Sequence, residues 1–242
     1  MNQNRIFVLR VPIDIINEDE IEKTIIGILD NNKSNQICFV NYRDIMRAQF
    51  NREFMNCLKK SSLNIPVTVS VRFAAKWLKL KMPTVYNPFT FIIRLLGVLE
   101  KYNKSIYILG SRKQNIQLSE KNLRASFPGL QIVGRYAGSL SNQQEDNVLT
   151  AIQKSTPSLL LTGKGLKGNN LWISRKSGFF TPGLTMWGKS CFEIFSGKKN
   201  KPADMKGFKK IRETILSVIL PWRLLRTLLF FILLTIDKIK LR

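Results

Sequence analysis

The chain contains no histidine. That removes Ser-His-Asp triads, Cys-His nucleophiles and histidine metal sites together. Acidic residues are scarce: 16 Asp and Glu stand against 39 Lys and Arg, a formal net charge of +23 over 242 residues. Such an excess calls for an anionic partner, whether nucleic acid, an anionic membrane or a phosphate-bearing substrate. Cysteine is also sparse. Cys38, Cys57 and Cys191 are odd in number, widely spaced and free of any CxxC, which argues against a disulfide framework and fits a reducing cytosol. No basic N-terminal region leads into a long apolar segment, so no signal peptide is expected. Long apolar runs are missing too. In the basic C-terminal part the longest uncharged run, Thr227 to Ile236, has ten residues, short of the roughly 20 that a spanning helix needs.

What is present is a regular alternation of strand and helix. Ser105 to Gly110 is a short β-rich run that stops at a glycine, and Gln114 to Phe127 places Ile116, Leu123 and Phe127 on one helical face. Pro128-Gly129 breaks that helix, and Leu130 to Tyr136 reads as the next strand. Ser141 with Gln144 resembles a capping box opening a helix that buries Val148 and Ile152. Leu159-Leu160-Leu161 is fully apolar, as in a parallel strand covered on both faces. A loop from Thr162 to Gly168 follows, and Asn169 to Arg175 restarts a helix. This spacing predicts βαβ units on a parallel sheet, with ligand at the glycine-marked carboxyl ends of the strands.

Upstream, Ile6 to Val11 reads as a strand, Ile21, Ile25, Ile28 and Leu29 as the buried stripe of a helix, and Gln36 to Asn41 as a second strand. Tyr42 to Lys60 reads as one helix with Ile45, Met46, Phe50, Phe54 and Leu58 inward, and Arg72 to Lys79 and Phe91 to Lys101 as two more. The last 45 residues differ in kind. Between Lys198 and Arg242 lie twelve Lys or Arg and three acidic residues, interleaved with Trp222, Phe230, Phe231 and many leucines. That mixture predicts a basic amphipathic segment lying in a membrane interface. Because the charge lies beside bulky apolar residues, a membrane accounts for both, and nucleic acid is not expected as a partner.

The order "ILGS…LRASFPGLQIVGRYAG…TPSLLLTGKG…NNLWISR" resembles the WecG/TagA/CpsF glycosyltransferases, and the pattern can be laid from Ile6 to about Arg226. The resemblance implies an α/β fold: a Rossmann-like parallel sheet flanked by helices over residues 1–197, with a C-terminal membrane-binding appendage over 198–242. It implies transfer of a hexose-type, N-acetylated sugar from a uridine diphosphate sugar to a polyprenyl-diphosphate-linked acceptor, in cell-surface polysaccharide synthesis. The enzyme would work without metal or other cofactor, peripherally on the inner face of a bacterial plasma membrane, with self-association into a homo-oligomer left open.

Residue by residue, Asn41 matches the family's "TxN" while Phe39 stands in the threonine position. Pro66 matches "PDGxG", but Val67 takes the place of the aspartate that is the family's favoured base, and a valine cannot accept a proton. The catalytic base is therefore unassigned, with Asp44 and Glu193 as the carboxylates to consider. Asn87 is the nearest polar residue to "RVTGxD", Asn169 replaces a substrate-contacting glutamine, and Glu193 falls on the aspartate of "SFDFLAGK". Gly110, Gly163 and Gly165 would admit the donor's diphosphate, with Lys164 and Lys167 in the same loop. Each glycine is equally an ordinary βα turn, and each asparagine equally a helix cap or turn residue. Trp222, Arg223 and Arg226 would meet the membrane, in "LPWRLLR", which is similar to the family's "EPRRLWRR". The alternative reading is a catalytically lapsed homologue serving as a membrane-bound scaffold for another glycosyltransferase.

Overall fold

A computed structural model describes residues 4–138, 140–180, 183–201 and 221–240. Its centre is a six-stranded, all-parallel sheet built from β3 (Ser34–Val40), β4 (Leu63–Pro66), β5 (Ser105–Leu109), β6 (Gln131–Tyr136), β7 (Leu159–Thr162) and β8 (Gly183–Trp187), in the order β4-β3-β8-β7-β5-β6. A separate antiparallel hairpin, β1 (Arg5–Val8) and β2 (Val11–Asp14), precedes it. The chain is thus an α/β protein of Rossmann-like build, as the alternation of patterns predicts.

Period-2 alternation divides the sheet's side chains between two covered faces. Ile37, Phe39, Ile65, Ile106, Ile108, Leu159, Leu161 and Met186 point into a core closed by α1 (Ile21–Leu29), α5 (Pro88–Lys101), α6 (Lys113–Ser126) and α9 (Cys191–Phe195). On the opposite face Tyr107, Leu109 and Leu160 pack with α7 (Asn142–Ser155) and α8 (Asn170–Arg175). Cys38 and Val40, also on that face, pack with the hairpin, α2 (Tyr42–Phe50), α3 (Arg52–Lys60), α4 (Val69–Trp77) and a C-terminal helix α10 (Pro221–Lys240). Helix α10 enters this second core through Phe230 and Leu234, which are 3% and 0% exposed. Cys38, Cys57 and Cys191 are all buried free thiols.

Three expectations change. The strand expected over Ile6–Val11 is two strands, because Leu9 and Arg10 both adopt left-handed φ (51° and 64°) and reverse the chain. This is the two-residue loop geometry that usually selects Asn or Gly. Here the Gln49 side chain donates a hydrogen bond to the Leu9 carbonyl at 2.9 Å and holds the turn. The helix expected over Tyr42–Lys60 is broken at Asn51, which leaves helical geometry and caps α3 by accepting from the Phe54 N–H at 2.8 Å. And β8, which no sequence pattern announces, occupies the middle of the sheet between β3 and β7.

The hairpin is fastened to β4 by an ion pair between the half-buried Arg5 and the buried Asp14. Arg5 Nε and Nη2 meet Asp14 Oδ1 and Oδ2 at 2.6 and 2.9 Å, the Asn64 N–H donates to Asp14 Oδ2 at 2.6 Å, and Arg5 Nη2 reaches the Ser62 carbonyl at 3.1 Å.

Candidate functional site: a basic cleft at the sheet's switch point

Strand order locates the site before any side chain is considered. The connection leaving β5 runs outward to edge strand β6, whereas the one leaving β7 runs the other way to β8. Adjacent strands whose connections diverge open a crevice at their carboxyl ends, where α/β sheets bind ligands. A cleft of about 680 Å³ occupies that place, lined by Ser111, Arg112, Asn115, Gly138, Lys164, Gly165, Glu193, Lys198 and Lys199.

Next to these lining residues the ends of β5 and β7 approach each other closely. The Gly163 N–H donates to the Leu109 carbonyl at 2.7 Å, and the Ser111 N–H to the Lys164 carbonyl at 2.5 Å. Gly110 has φ +98°, and a Cβ there would lie 2.8 Å from the Lys164 oxygen. Gly163 is required for a different reason, since its Cβ would fall 2.4 Å from the Phe192 ring. Gly165, with φ +106°, turns the loop along the cleft wall. Of the three glycines singled out in the sequence, Gly165 lines the cleft, while Gly110 and Gly163 pack against each other at the neighbouring strand ends.

Charge in the cleft is cationic: among the described residues Arg112, Lys164, Lys198 and Lys199 stand against the carboxylate of Glu193. Lys164 Nζ lies 3.7 Å from Glu193 Oε1, while Glu193 Oε2 is buried without a hydrogen-bond partner among the described residues. Helix α6 starts at the same place, and its N-cap, Arg112, makes no side-chain cap hydrogen bond. A helix start left uncapped by side chains and surrounded by ammonium and guanidinium groups is suited to anionic oxygens.

The asparagines lie elsewhere. Asn41 and Asn87 do not line the cleft. Asn41 caps α2 in a reciprocal capping box, its Oδ1 accepting from the Arg43 and Asp44 N–H groups while Asp44 Oδ2 accepts from the Asn41 N–H. Asn87 caps α5, accepting from the Phe89 N–H at 2.9 Å. Asn169 holds φ +53° ahead of α8 and makes no side-chain cap bond. Arg226 is exposed on α10, and the side chains of Trp222 and Arg223 lie outside the described residues.

The ends of β8, β3 and β4, one to three strands from β7, form a second margin beside the cleft. Val67 follows β4, half-buried, with its N–H bonded to the Val40 carbonyl. Phe39 is core, edge-on to Phe91 with ring centres 5.8 Å apart. Lys189 follows β8 in a left-handed conformation (φ +56°), its ammonium 5.8 Å from the centre of the Phe39 ring. Burial lowers the Lys189 pKa, opposed by the Asp44 charge. Burial likewise raises the Asp44 pKa, opposed by the Asn41 N–H and by Lys189, Arg47 and Arg43.

Sequence reasoning missed Ser111, Arg112, Asn115, Lys198 and Lys199 as cleft residues. The first three were accessible in principle, being the residues directly after a glycine-ended strand. The two lysines were not, because only folding brings α9 and the residues after it against α6.

A six-stranded parallel sheet flanked by helices, with a basic cleft at its switch point, defines the class: a Rossmann-like α/β protein. The sequence pattern of the family described as "Glycosyl transferase WecG/TagA/CpsF family" matches residues 6–242, and the chain belongs to that family. Among curated proteins it is similar to an N-acetylglucosaminyldiphosphoundecaprenol N-acetyl-beta-D-mannosaminyltransferase of Bacillus spizizenii, with 22% identity over 169 residues. That alignment covers 70% of this chain and 65% of the relative, so the chain spans just under two thirds of the relative's length. A protein of the same name from Bacillus subtilis (strain 168) is 22% identical over 218 residues, 89% of this chain and 80% of that one.

Proposed function

We propose that this chain is a glycosyltransferase that takes a hexose-type, N-acetylated sugar from a uridine diphosphate sugar and passes it to a polyprenyl-diphosphate-linked acceptor. The observation that carries the reading is the cationic cleft at the switch point, where Arg112, Lys164 and the start of α6 meet beside Gly165. A diphosphate is the ligand that these cations and the start of α6 suit, since the N–H groups of Gly110, Ser111, Gly138 and Gly163 are already bonded to backbone carbonyls. Family membership and the names of the two relatives support donor and acceptor alike, and no observation favours the lapsed-scaffold reading.

The sugar would extend from the cleft toward the margin of β8 and β3. There the amide nitrogens of Asn41 and Asn87 would serve as donors, their oxygens being used in capping. Asn169 would contribute from the start of α8. Val67 supplies no base, and Asp44 is the carboxylate on that margin, held by its cap bond to Asn41. The basic segment from 198 would hold the protein peripherally on the inner face of the membrane that carries the acceptor, and no helix of the described residues is long and apolar enough to cross a membrane.

Calorimetry with uridine diphosphate tests the donor site. The wild type should bind and Gly165→Trp should bind at least about tenfold more weakly, with product formation following from a panel of nucleotide sugars and lipid-linked acceptors. Equal affinity in both proteins, or none in either, removes the site.

A further inference from the structure

Helix α10 is apolar on two opposite sides. Phe230 and Leu234 are buried against the body, whereas Leu228, Ile232, Ile236 and Ile239 are exposed. At 100° per residue those four fall within a narrow arc roughly opposite Phe230. A helix of this kind needs a second apolar environment, and within the described residues nothing covers its outer stripe.

The stripe does not end with α10. Beside it lies α4, joined by an edge contact between Phe73 and Phe231 (5.8 Å) and by Lys238 Nζ, 4.5 Å from the centre of the Trp77 ring. On α4, Val69, Phe73 and Trp77 recur every fourth residue and are 72%, 47% and 38% exposed, while Val71, Ala74 and Ala75 face the core. Cations border this second stripe: Arg72 and Lys76 on α4, then Lys79 and Lys81 beyond it, all exposed.

We propose that α4 and α10 together form one membrane-docking face whose occupant is an anionic bilayer surface, so that the catalytic body itself, and not the C-terminal segment alone, enters the interface. The proposal extends the peripheral-membrane part of the function above and rests on that reading only for the acceptor's location. Charge selects the occupant. A second copy of a chain carrying +23 would repel this face at close range, whereas anionic headgroups meet the bordering lysines and arginines while the apolar side chains sink below them. Trp77 beneath Lys238 has the amphipathic character that favours the headgroup level. The geometry also serves transfer. Helix α4 begins directly after β4, at the carboxyl edge of the sheet, and three strand spacings, roughly 14 Å, separate β4 from β7 at the cleft. A diphosphate in the headgroup layer would then face the strand ends without leaving the membrane.

The test uses the full chain with vesicles of phosphatidylcholine, with and without about a third phosphatidylglycerol. Val69→Asp is the informative variant, because Val69 opens α4, where a carboxylate favours the helix start, and it makes none of the α4–α10 ring contacts. The variant should keep its melting temperature and bind anionic vesicles roughly tenfold more weakly than the wild type. Brominated lipid should quench wild-type tryptophan fluorescence more than that of Trp77→Phe. Undiminished vesicle binding by Val69→Asp, equal quenching in Trp77→Phe, or equal binding to neutral and anionic vesicles would overturn the proposal. So would a wild-type dimer in sedimentation that Val69→Asp dissociates. Uridine diphosphate calorimetry on the same samples keeps the two readings apart: vesicle binding without nucleotide binding would sink the transferase assignment and leave the docking face standing.

Discussion

Replacing Gly110 with alanine isolates the backbone contact on which the cleft is built. The new methyl would lie 2.8 Å from the Lys164 carbonyl oxygen and 3.3 Å from the Gly163 N and C atoms. None of these is the end of a flexible side chain, so the strand ends themselves must separate. Those ends are also tied by the Ser111 N–H to Lys164 and the Gly163 N–H to Leu109 bonds, and Gly110 donates to the Tyr136 carbonyl at 2.9 Å. A φ of +98° adds conformational strain for any residue with a Cβ. Strain of this kind costs about 1–3 kcal/mol, and the steric contact brings the expected loss to roughly 2–4 kcal/mol. For a chain of this size that is a fall in melting temperature of about 5–15 °C. The same substitution at Gly97, inside α5 with nothing within 4 Å of its Cβ position, should instead stabilise by about 0.5–1 kcal/mol. Differential scanning fluorimetry of the pair, with nucleotide calorimetry on each, reads both effects. Gly110→Ala should lose stability and nucleotide affinity together, and Gly97→Ala neither. A Gly110→Ala protein that melts with the wild type and binds nucleotide equally well would refute the claim that this approach shapes the site.

Two further outcomes follow from buried charge. Arg5→Met leaves the Asp14 carboxylate, 2% exposed, with the Asn64 N–H but no cation, and should cost roughly 3 kcal/mol in urea unfolding; a loss below about 1 kcal/mol would show that the hairpin is held by packing alone. Asp44 has a folded-state pKa raised by burial, so its stability contribution is full below the unfolded pKa and is lost as pH rises through the folded one. Asp44→Asn keeps an oxygen to accept from the Asn41 N–H and cannot ionise. Its melting temperature relative to wild type should therefore climb between about pH 4 and pH 7, and a difference that shrinks over that range would contradict the burial argument.

Local signals were legible where one cause dominates. The Ser141–Gln144 capping box forms as its spacing implies, and Leu159–Leu161 is the doubly covered strand that an unbroken apolar run announces. Where tertiary contacts decide, the sequence is mute. Gly-Leu-Thr-Met-Trp at 183–187 lacks alternation and β-branched bulk beyond Thr185, and becomes a strand because β3 and β7 offer edges on either side. Leu9 and Arg10 carry no turn signature, since their left-handed geometry is enforced by β1–β2 pairing and Gln49. Asn51 was a readable cap, overlooked because the apolar spacing continues unbroken through it. The cleft shows the same division. Gly165 and Lys164 could be read from one contiguous stretch and Glu193 from the resemblance, but Lys198 and Lys199 arrive from more than eighty residues beyond Ser111.

The place of β8 has a consequence for synthesis. It is the last strand of the sheet in sequence and stands in the middle, pairing Met186 with both Ile37 and Leu161. Until residue 187 leaves the ribosome, β3–β4 and β7–β5–β6 are two partial sheets with bare inner edges and no shared ladder. Emerging chains would therefore display two complementary, highly apolar edges at once, a situation prone to wrong pairing between neighbouring nascent chains. Pairing of β8 joins the halves, and α9, packed with α6 just after it, brings Glu193 to the cleft. The proposed donor cleft is completed only by residues made after β8, so its assembly would coincide with the pairing that covers those edges.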